Sequence, residues 1–279
     1  MQPHYLFSVN HYLSNNPEWI VNKPLIVSVL NNKGGTGKTT TAVNLAAATA
    51  LEGKKVLLID LDPQGNATTG VGFEKATLGS TIYNVLAQTR KIQETILGTK
   101  FDNLSILPSN LDLAGAEVEL SSTPGREYIL REALAPIKQD YDNIIIDCPP
   151  NIGLLTLNAL VTSDLVLIPV QCEFYPMEGL PTLVKVMDLV KSRLKAQFDF
   201  RIVLTMYDAR TALSRRVQSQ VWNNFGERAL KTVIPRSVRM AEAPSKGLPG
   251  VIYRPKNPAS ERYKALTKEL FRVALVAEA

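Results

Sequence analysis

Apolar residues along this chain gather in short runs, each closed by a polar or turn-forming position. Leu25-Ile26-Val27-Ser28-Val29-Leu30, Val56-Leu57-Leu58-Ile59, Leu104-Ser105-Ile106-Leu107, Ile144-Ile145-Ile146, Leu165-Val166-Leu167-Ile168 and Arg201-Ile202-Val203-Leu204 have the length and branching of buried strands. The last residues of these runs are followed by Asp60, Pro108, Asp147 and Pro169, which are expected to end the strands. Helical stretches separate them, among them residues 39–51, closed by Gly53, and residues 177–194 and 213–225. Strands alternating with helices predict an α/β fold: a single doubly wound, mostly parallel sheet with helices on both faces. Residues 1–23 read as a short polar leader and residues 24–279 as one domain. Ligands of such sheets bind beyond the carboxyl ends of the strands, which draws attention to Asp60, Asp62 and Asp147.

Between the first strand and the first helix stands Lys33-Gly34-Gly35-Thr36-Gly37-Lys38-Thr39. This is the setting a phosphate loop requires. Its glycines let backbone N–H groups turn inward onto phosphate oxygens, and the helix N-terminus adds partial positive charge. Lys38 would reach the β- and γ-phosphates of ATP, and the Thr39 hydroxyl would ligate Mg²⁺. The usual pattern opens with glycine; here Asn32 takes that place and Lys33 adds a second cation. Asp147 would hold the Mg²⁺ shell or simply end its strand before Cys148-Pro149-Pro150. Asp60 and Asp62 precede the turn Pro63-Gln64-Gly65-Asn66. They would organise Mg²⁺ or orient the attacking water, or only shape that turn.

Composition adds exclusions. With 45% hydrophobic and 20% charged residues the chain is an ordinary folded protein. Two cysteines, Cys148 and Cys172, are too few for a disulfide framework and fit reduced thiols in a cytoplasmic setting. The two histidines, His4 and His11, both sit in the leader, which argues against a histidine-based catalytic core. No apolar run is long enough to cross a bilayer, so no membrane association is expected. The net charge of +5 hides an asymmetry: residues 1–184 carry a net −6 and residues 185–279 a net +11. The basic third is either an electrostatic footprint for nucleic acid or another acidic surface, or a solvated face.

Several stretches resemble the ParA/Soj ATPases of DNA segregation, within the deviant Walker A class that includes MinD. They are residues 32–45 and 56–70, Ile144-Ile145-Ile146-Asp147-Cys148-Pro149-Pro150, Pro169-Val170-Gln171-Cys172-Glu173, Leu204-Thr205-Met206-Tyr207-Asp208-Ala209-Arg210, Val233-Ile234-Pro235-Arg236-Ser237-Val238-Arg239 and Ala241-Glu242-Ala243-Pro244-Ser245. The resemblance implies that residues 33–40, Thr40 included, bind ATP, with Lys33 as the signature lysine that reaches the partner's phosphates in an ATP-dependent homodimer. It implies a catalytic set of Lys33, Lys38 and Asp62, with Asp62 orienting water, and a metal set of Thr39, Asp60, Asp62 and Asp147. Pro235 and Arg236 would lie against adenine. Arg210 and Arg239 would bind double-stranded DNA without sequence preference, with Lys231, Arg215, Arg216 and Lys246 as auxiliaries. A ParB-like centromere-binding protein would stimulate hydrolysis, and the protein would associate with the nucleoid. The leader is too short for a helix-turn-helix domain, so operator binding is not expected. No role is read into Ser245-Lys246-Gly247-Leu248-Pro249-Gly250. Two other uses of the same chemistry remain: positioning a protein cargo on the nucleoid, and MinD-like membrane cycling. For the latter, Tyr263, Leu266, Leu270 and Val273 recur at helical spacing, a pattern that core packing explains better.

Overall fold

The computed structural model describes residues 24–173 and 179–277. The leader with His4 and His11, and the first two residues of the helix expected at 177–194, lie outside the described residues.

Eight strands form one sheet: β1 (Leu25–Val29), β2 (Val56–Asp60), β3 (Leu97–Gly98), β4 (Leu104–Leu107), β5 (Asn143–Asp147), β6 (Leu165–Gln171), β7 (Asp199–Tyr207) and β8 (Ala229–Pro235), in the order β3-β4-β2-β5-β1-β6-β7-β8. Only β3 runs antiparallel, against β4. The helices are α1 (Lys38–Leu51), α2 (Asn66–Gly70), α3 (Ile82–Leu86), α4 (Leu113–Glu119), α5 (Ile129–Leu134), α6 (Leu154–Thr162), α7 (Leu180–Leu194), α8 (Ala212–Phe225), α9 (Val238–Glu242), α10 (Gly250–Tyr253) and α11 (Pro258–Ala277).

Alternation along the strands divides the core in two. Ile144 and Ile146 of β5 face one cluster, with Leu160, Leu183 and Val217 from α6, α7 and α8. Ile145 between them faces the other, with Leu45 of α1 and Tyr263, Leu266 and Leu270 of α11. Both faces of the central strands are therefore buried, which is why those strands read as unbroken apolar runs. Helix α1 is buried almost all round, in keeping with its Ala-rich sequence. Tyr263, Leu266 and Leu270 are core residues of the last helix; the Val273 side chain lies outside the described set.

Strand expectations need correction at β6 and β8, and β3 is a further strand that the apolar runs do not show. β6 does not end at Pro169 but runs on to Gln171. Its partner β1 pairs with it only as far as Leu167, and the Pro169 carbonyl accepts from Asn31 Nδ2 on that side at 2.7 Å. The missing N–H thus faces a place where the ladder has already stopped, and costs no pairing. β8 was not read as a strand because its polar and apolar residues mix, Ala229-Leu230-Lys231-Thr232-Val233-Ile234-Pro235, as befits an outer strand with Lys231 exposed.

From β1 the chain moves outward to β2 on one side, and later strands build outward from β6 on the other. That reversal beside β1 is the crevice where such sheets bind ligands.

Candidate nucleotide site

The loop after β1 is tied down at three points before α1 begins. Buried Asn31 donates to Pro169 as described, and its Oδ1 accepts from Lys33 N at 3.0 Å. Thr205 Oγ1 of β7 donates to the Thr36 carbonyl at 2.8 Å. Lys38 Nζ donates to the Lys33 carbonyl at 2.8 Å. Gly37 stands at φ 84 just before the helix, a left-handed value that a side chain disfavours. Its carbonyl accepts the Thr41 N–H at 2.8 Å and starts the helix. Gly34 and Gly35 are exposed, and a Cβ added to either would meet nothing within 4 Å. Thr39 and Thr40 sit half-buried in the first turn of α1. The Lys33 side chain lies along the start of α7: a Cβ on Gly179 would stand 3.2 Å from its Cε.

Asp60 and Asp147 are register partners on adjacent strands, so their side chains leave the same face at the same level. Both are fully buried. Both oxygens of Asp60 are engaged: its Oδ2 accepts from Thr68 N and Thr68 Oγ1, each at 2.7 Å, and its Oδ1 from Asp62 N at 3.3 Å. Burial still raises its pKa, to about 6. Neither oxygen of Asp147 has a hydrogen-bond partner among the described residues. Burial pushes its carboxyl well above the usual range and Asp60 pushes it further; the Thr39 hydroxyl, close but outside hydrogen-bond geometry, and the Lys38 ammonium pull the other way. Lys38 is itself held below the ordinary lysine value by burial, against the attraction of Asp147 and Asp62. Asp62 opens the turn to α2, with Oδ1 accepting from Gln64 N at 2.9 Å and its carbonyl from Gly65 N at 2.8 Å.

Among the described residues, most buried polar atoms without partners gather here: Asn32 Oδ1, Thr36 Oγ1 and both Asp147 oxygens, with Ser109 Oγ beyond β4 and Arg201 Nε elsewhere. Such atoms are rare in folded proteins, and a cluster of them marks a place where something else binds. A cation fits this donor set. Like charges side by side on neighbouring strands repel, and Lys38 is the cation whose charge offsets that of Asp147. Among the described residues the three aspartates do not converge into a three-ligand cluster. That suits Mg²⁺, which keeps waters and phosphate oxygens in its shell and takes few protein ligands.

Pro235 and Arg236 lie at the same edge, three strands from β1, or roughly 14 Å across the sheet at the usual spacing. Arg236 N donates to the Tyr207 carbonyl at 3.2 Å. Arg210 and Arg239 do not join the loop. Arg210 follows β7, is 90% exposed, and makes a two-pronged bond to Asp208, Nε to Oδ1 at 3.0 Å and Nη2 to Oδ2 at 2.7 Å. Arg239 on α9 pairs with Glu242 at 2.7 Å. Lys231, Arg215, Arg216 and Lys246 are not buried. Asn31, Thr68 and Thr205 were not singled out from sequence; Asn31 and Thr205 carried a weak signal, as polar residues near the carboxyl ends of apolar strands.

A family model described as an AAA domain matches residues 25–200. The sporulation initiation inhibitor protein Soj of Bacillus subtilis is 49% identical over 246 residues, covering 88% of this chain and 97% of Soj. The chromosome partitioning protein ParA of Myxococcus xanthus is 46% identical over 248 residues, 88% of each chain. Among solved structures, cobyrinic acid a,c-diamide synthase from Mycobacterium smegmatis, with bound ATP analog and magnesium, superposes with a TM-score of 0.79. It is 33% identical, over 89% of this chain and 95% of that one. Among the described residues no helix is long and apolar enough to cross a membrane.

Proposed function

The chain belongs to the ParA/Soj family of ATPases, and from that premise we propose that it is a partitioning ATPase that uses Mg·ATP to segregate chromosomal or plasmid DNA. The observation that carries the reading is the set of buried, partnerless polar atoms around residues 32–39, beside the paired carboxylates Asp60 and Asp147.

Residues 24–279 act as one ATPase domain. Residues 33–40 wrap the phosphates through their N–H groups, and Lys38 leaves the Lys33 carbonyl for the β- and γ-phosphates. Thr39 and Asp147 would hold Mg²⁺, while Asp60 and Asp62, expected from the sequence as further metal residues, are engaged in the turn at 62–68. When bound, Mg²⁺ neutralises charge on the β- and γ-phosphates as the leaving oxygen develops it. Asp62, at the head of the turn, orients the attacking water, which yields ADP and phosphate. Pro235 and Arg236 flank the adenine.

Lys33 reaches the partner's ATP across a homodimer interface. Dimerisation assembles a DNA surface from Arg210 and Arg239, which exchange their own carboxylates for DNA phosphates. Such binding is sequence-independent and falls steeply with salt. A ParB-like partner stimulates hydrolysis and releases the dimer from the nucleoid. The MinD-like alternative has no observation in its favour, since Tyr263, Leu266 and Leu270 are spent on the core.

The test has two arms. Wild-type protein should bind a fluorescent ATP analogue with Mg²⁺, and Lys38→Ala should lose at least ~100-fold in affinity; retained micromolar binding by the variant refutes the phosphate-loop role. Wild-type DNA binding, measured with ATP, ADP and no nucleotide across a salt series, should be strongest with ATP. Equal binding in all three conditions refutes the nucleotide switch.

A further inference from the structure

We propose that Thr68 is a positioning residue for ATP hydrolysis: by clamping Asp60 it keeps that carboxylate away from the metal and makes it the anchor of the turn that presents Asp62. The inference rests on the ATPase reading above.

Helix α2 begins after Gly65, which has no side chain with which to cap it. The donors of its first turn need a partner from elsewhere. Asp60, at the end of β2, supplies it, accepting both Thr68 N and Thr68 Oγ1 on a single oxygen. The same hydroxyl accepts from Ser109 N at 2.9 Å, beyond the end of β4. Thr68 Oγ1 is thus a donor to one strand end and an acceptor from the next, inside a fully buried site. The second Asp60 oxygen takes the N–H of Asp62. One carboxylate therefore fixes both the start of the turn, at Asp62, and its far end, at Thr68.

This divides the work of two carboxylates that sequence places alike at strand ends. Of the four oxygens on Asp60 and Asp147, the protein uses both of Asp60's and leaves both of Asp147's open. Without the Thr68 hydroxyl, Asp60 keeps only backbone donors. It is then held less firmly away from the ion bound by Asp147, and the turn bearing Asp62 keeps only its two backbone bonds to Asp60. Mg·ATP is held by the loop after β1 and by Asp147, whereas the Thr68 hydroxyl bonds Asp60 and Ser109. The clamp is therefore expected to act on turnover and not on affinity. A displacement of about 1 Å in an orienting group can cost on the order of 100-fold in rate.

The test uses the full chain with Thr68→Val, which keeps the shape and removes the hydroxyl, and Thr68→Ser, which restores it. Steady-state hydrolysis gives kcat and KM, and a fluorescent ATP analogue titrated with and without Mg²⁺ gives affinity directly. The expected result is a kcat reduced at least ~10-fold in Thr68→Val, with KM and analogue affinity unchanged within about twofold, and near wild-type kcat in Thr68→Ser. Three results overturn the inference: an unchanged kcat in Thr68→Val, a parallel loss of Mg-dependent affinity, or a Thr68→Ser variant as slow as Thr68→Val. Should Thr68→Val not melt cooperatively, Thr68→Ala read against Thr68→Ser decides by the same criteria. A wild-type protein that neither binds nor hydrolyses Mg·ATP refutes the ATPase reading instead, which keeps the two failures apart.

Discussion

The middle and one edge of this sheet treat charge in opposite ways. Around β1, β2 and β5, charged groups are buried, and among the described residues the Asp147 carboxylate has no hydrogen-bond partner. Past β7 and β8, the two arginines expected to meet DNA are exposed and each has a carboxylate partner: Arg210 has Asp208 and Arg239 has Glu242. The first arrangement is expensive without ligand, because a buried charge lacks the water or the partner that would stabilise it. A ligand that supplies the counter-charge recovers that cost as binding energy. The second arrangement costs almost nothing to make or break, since exposed ion pairs are weak and screened. It suits a surface that must let go. On the proposed function, nucleotide binding would rest on stored electrostatic cost, and DNA binding on easily exchanged pairs.

Asp147→Asn tests the first half of this contrast and should give the largest effect. A carboxyl whose pKa is raised in the folded state holds its proton longer than in the unfolded chain. The folded state is then most favoured below the unfolded pKa near 4, and stability falls as pH rises through the window up to the folded value. Each pH unit in that window costs about 1.4 kcal/mol. Asparagine removes the cost. Without nucleotide, Asp147→Asn should melt above wild type at pH 7, by roughly 2–4 °C for each kcal/mol regained, and the gap should close toward pH 4. The same change should weaken Mg²⁺-dependent ATP binding on the order of 10–100-fold, the usual range for a group that acts through a metal-bound water. Paired melting curves and titrations would check both. A variant that melts below wild type at neutral pH breaks the idea of stored cost.

How much of this was legible in the sequence follows the same division. The loop at 33–39 could be read because glycine spacing between an apolar strand and a helix is a local pattern. Asp147 could be read because it ends an apolar run. That both Asp60 oxygens are engaged while those of Asp147 are not could not be read. It depends on Thr68, eight residues on, turning back through α2, and on parallel register across β2 and β5. Strand β8 stayed hidden because an outer strand needs no continuous apolar run. The continuation of β6 past Pro169 depended on where its neighbour stopped. The arginines were legible as charges, but the carboxylates that hold them, two and three residues away, gained meaning only from geometry.

A junction of two glycines joins the two regions. Gly72 follows α2, and Gly247 follows the basic segment that carries Arg239 and Lys246. A Cβ on Gly247 would stand 2.8 Å from Gly72 Cα, and Gly247 itself has φ 59. Both the clash with backbone and the left-handed conformation oppose a side chain there. Gly247→Ala should therefore lose about 1–3 kcal/mol of stability, a middle-sized effect, visible in urea or thermal melts. If the contact transmits nucleotide state between the regions, the ratio of DNA affinity with ATP to that with ADP should also shrink. An unchanged ratio in a measurably destabilised protein would show that the contact is packing alone.

The smallest effect should come from the exposed edge. Asp208→Asn leaves Arg210 with a neutral neighbour in place of a carboxylate, so DNA affinity at low salt should rise only roughly two- to fivefold, as expected for an exposed pair. Arg210→Glu should do the reverse and lower the slope of log affinity against log salt by about 1. Acid should not imitate Asp208→Asn in the ordinary range. The bonds from Arg210 hold the Asp208 carboxyl at about 2, so the pair persists above that pH and is lost only as pH falls through it. Gel shifts of wild type at pH 8 and pH 5 should therefore show no gain that the Asn variant lacks. Were the wild type to climb to the variant's affinity at pH 5, the bond to Asp208 would not be what restrains Arg210, and the contrast between the two regions would lose its exposed half.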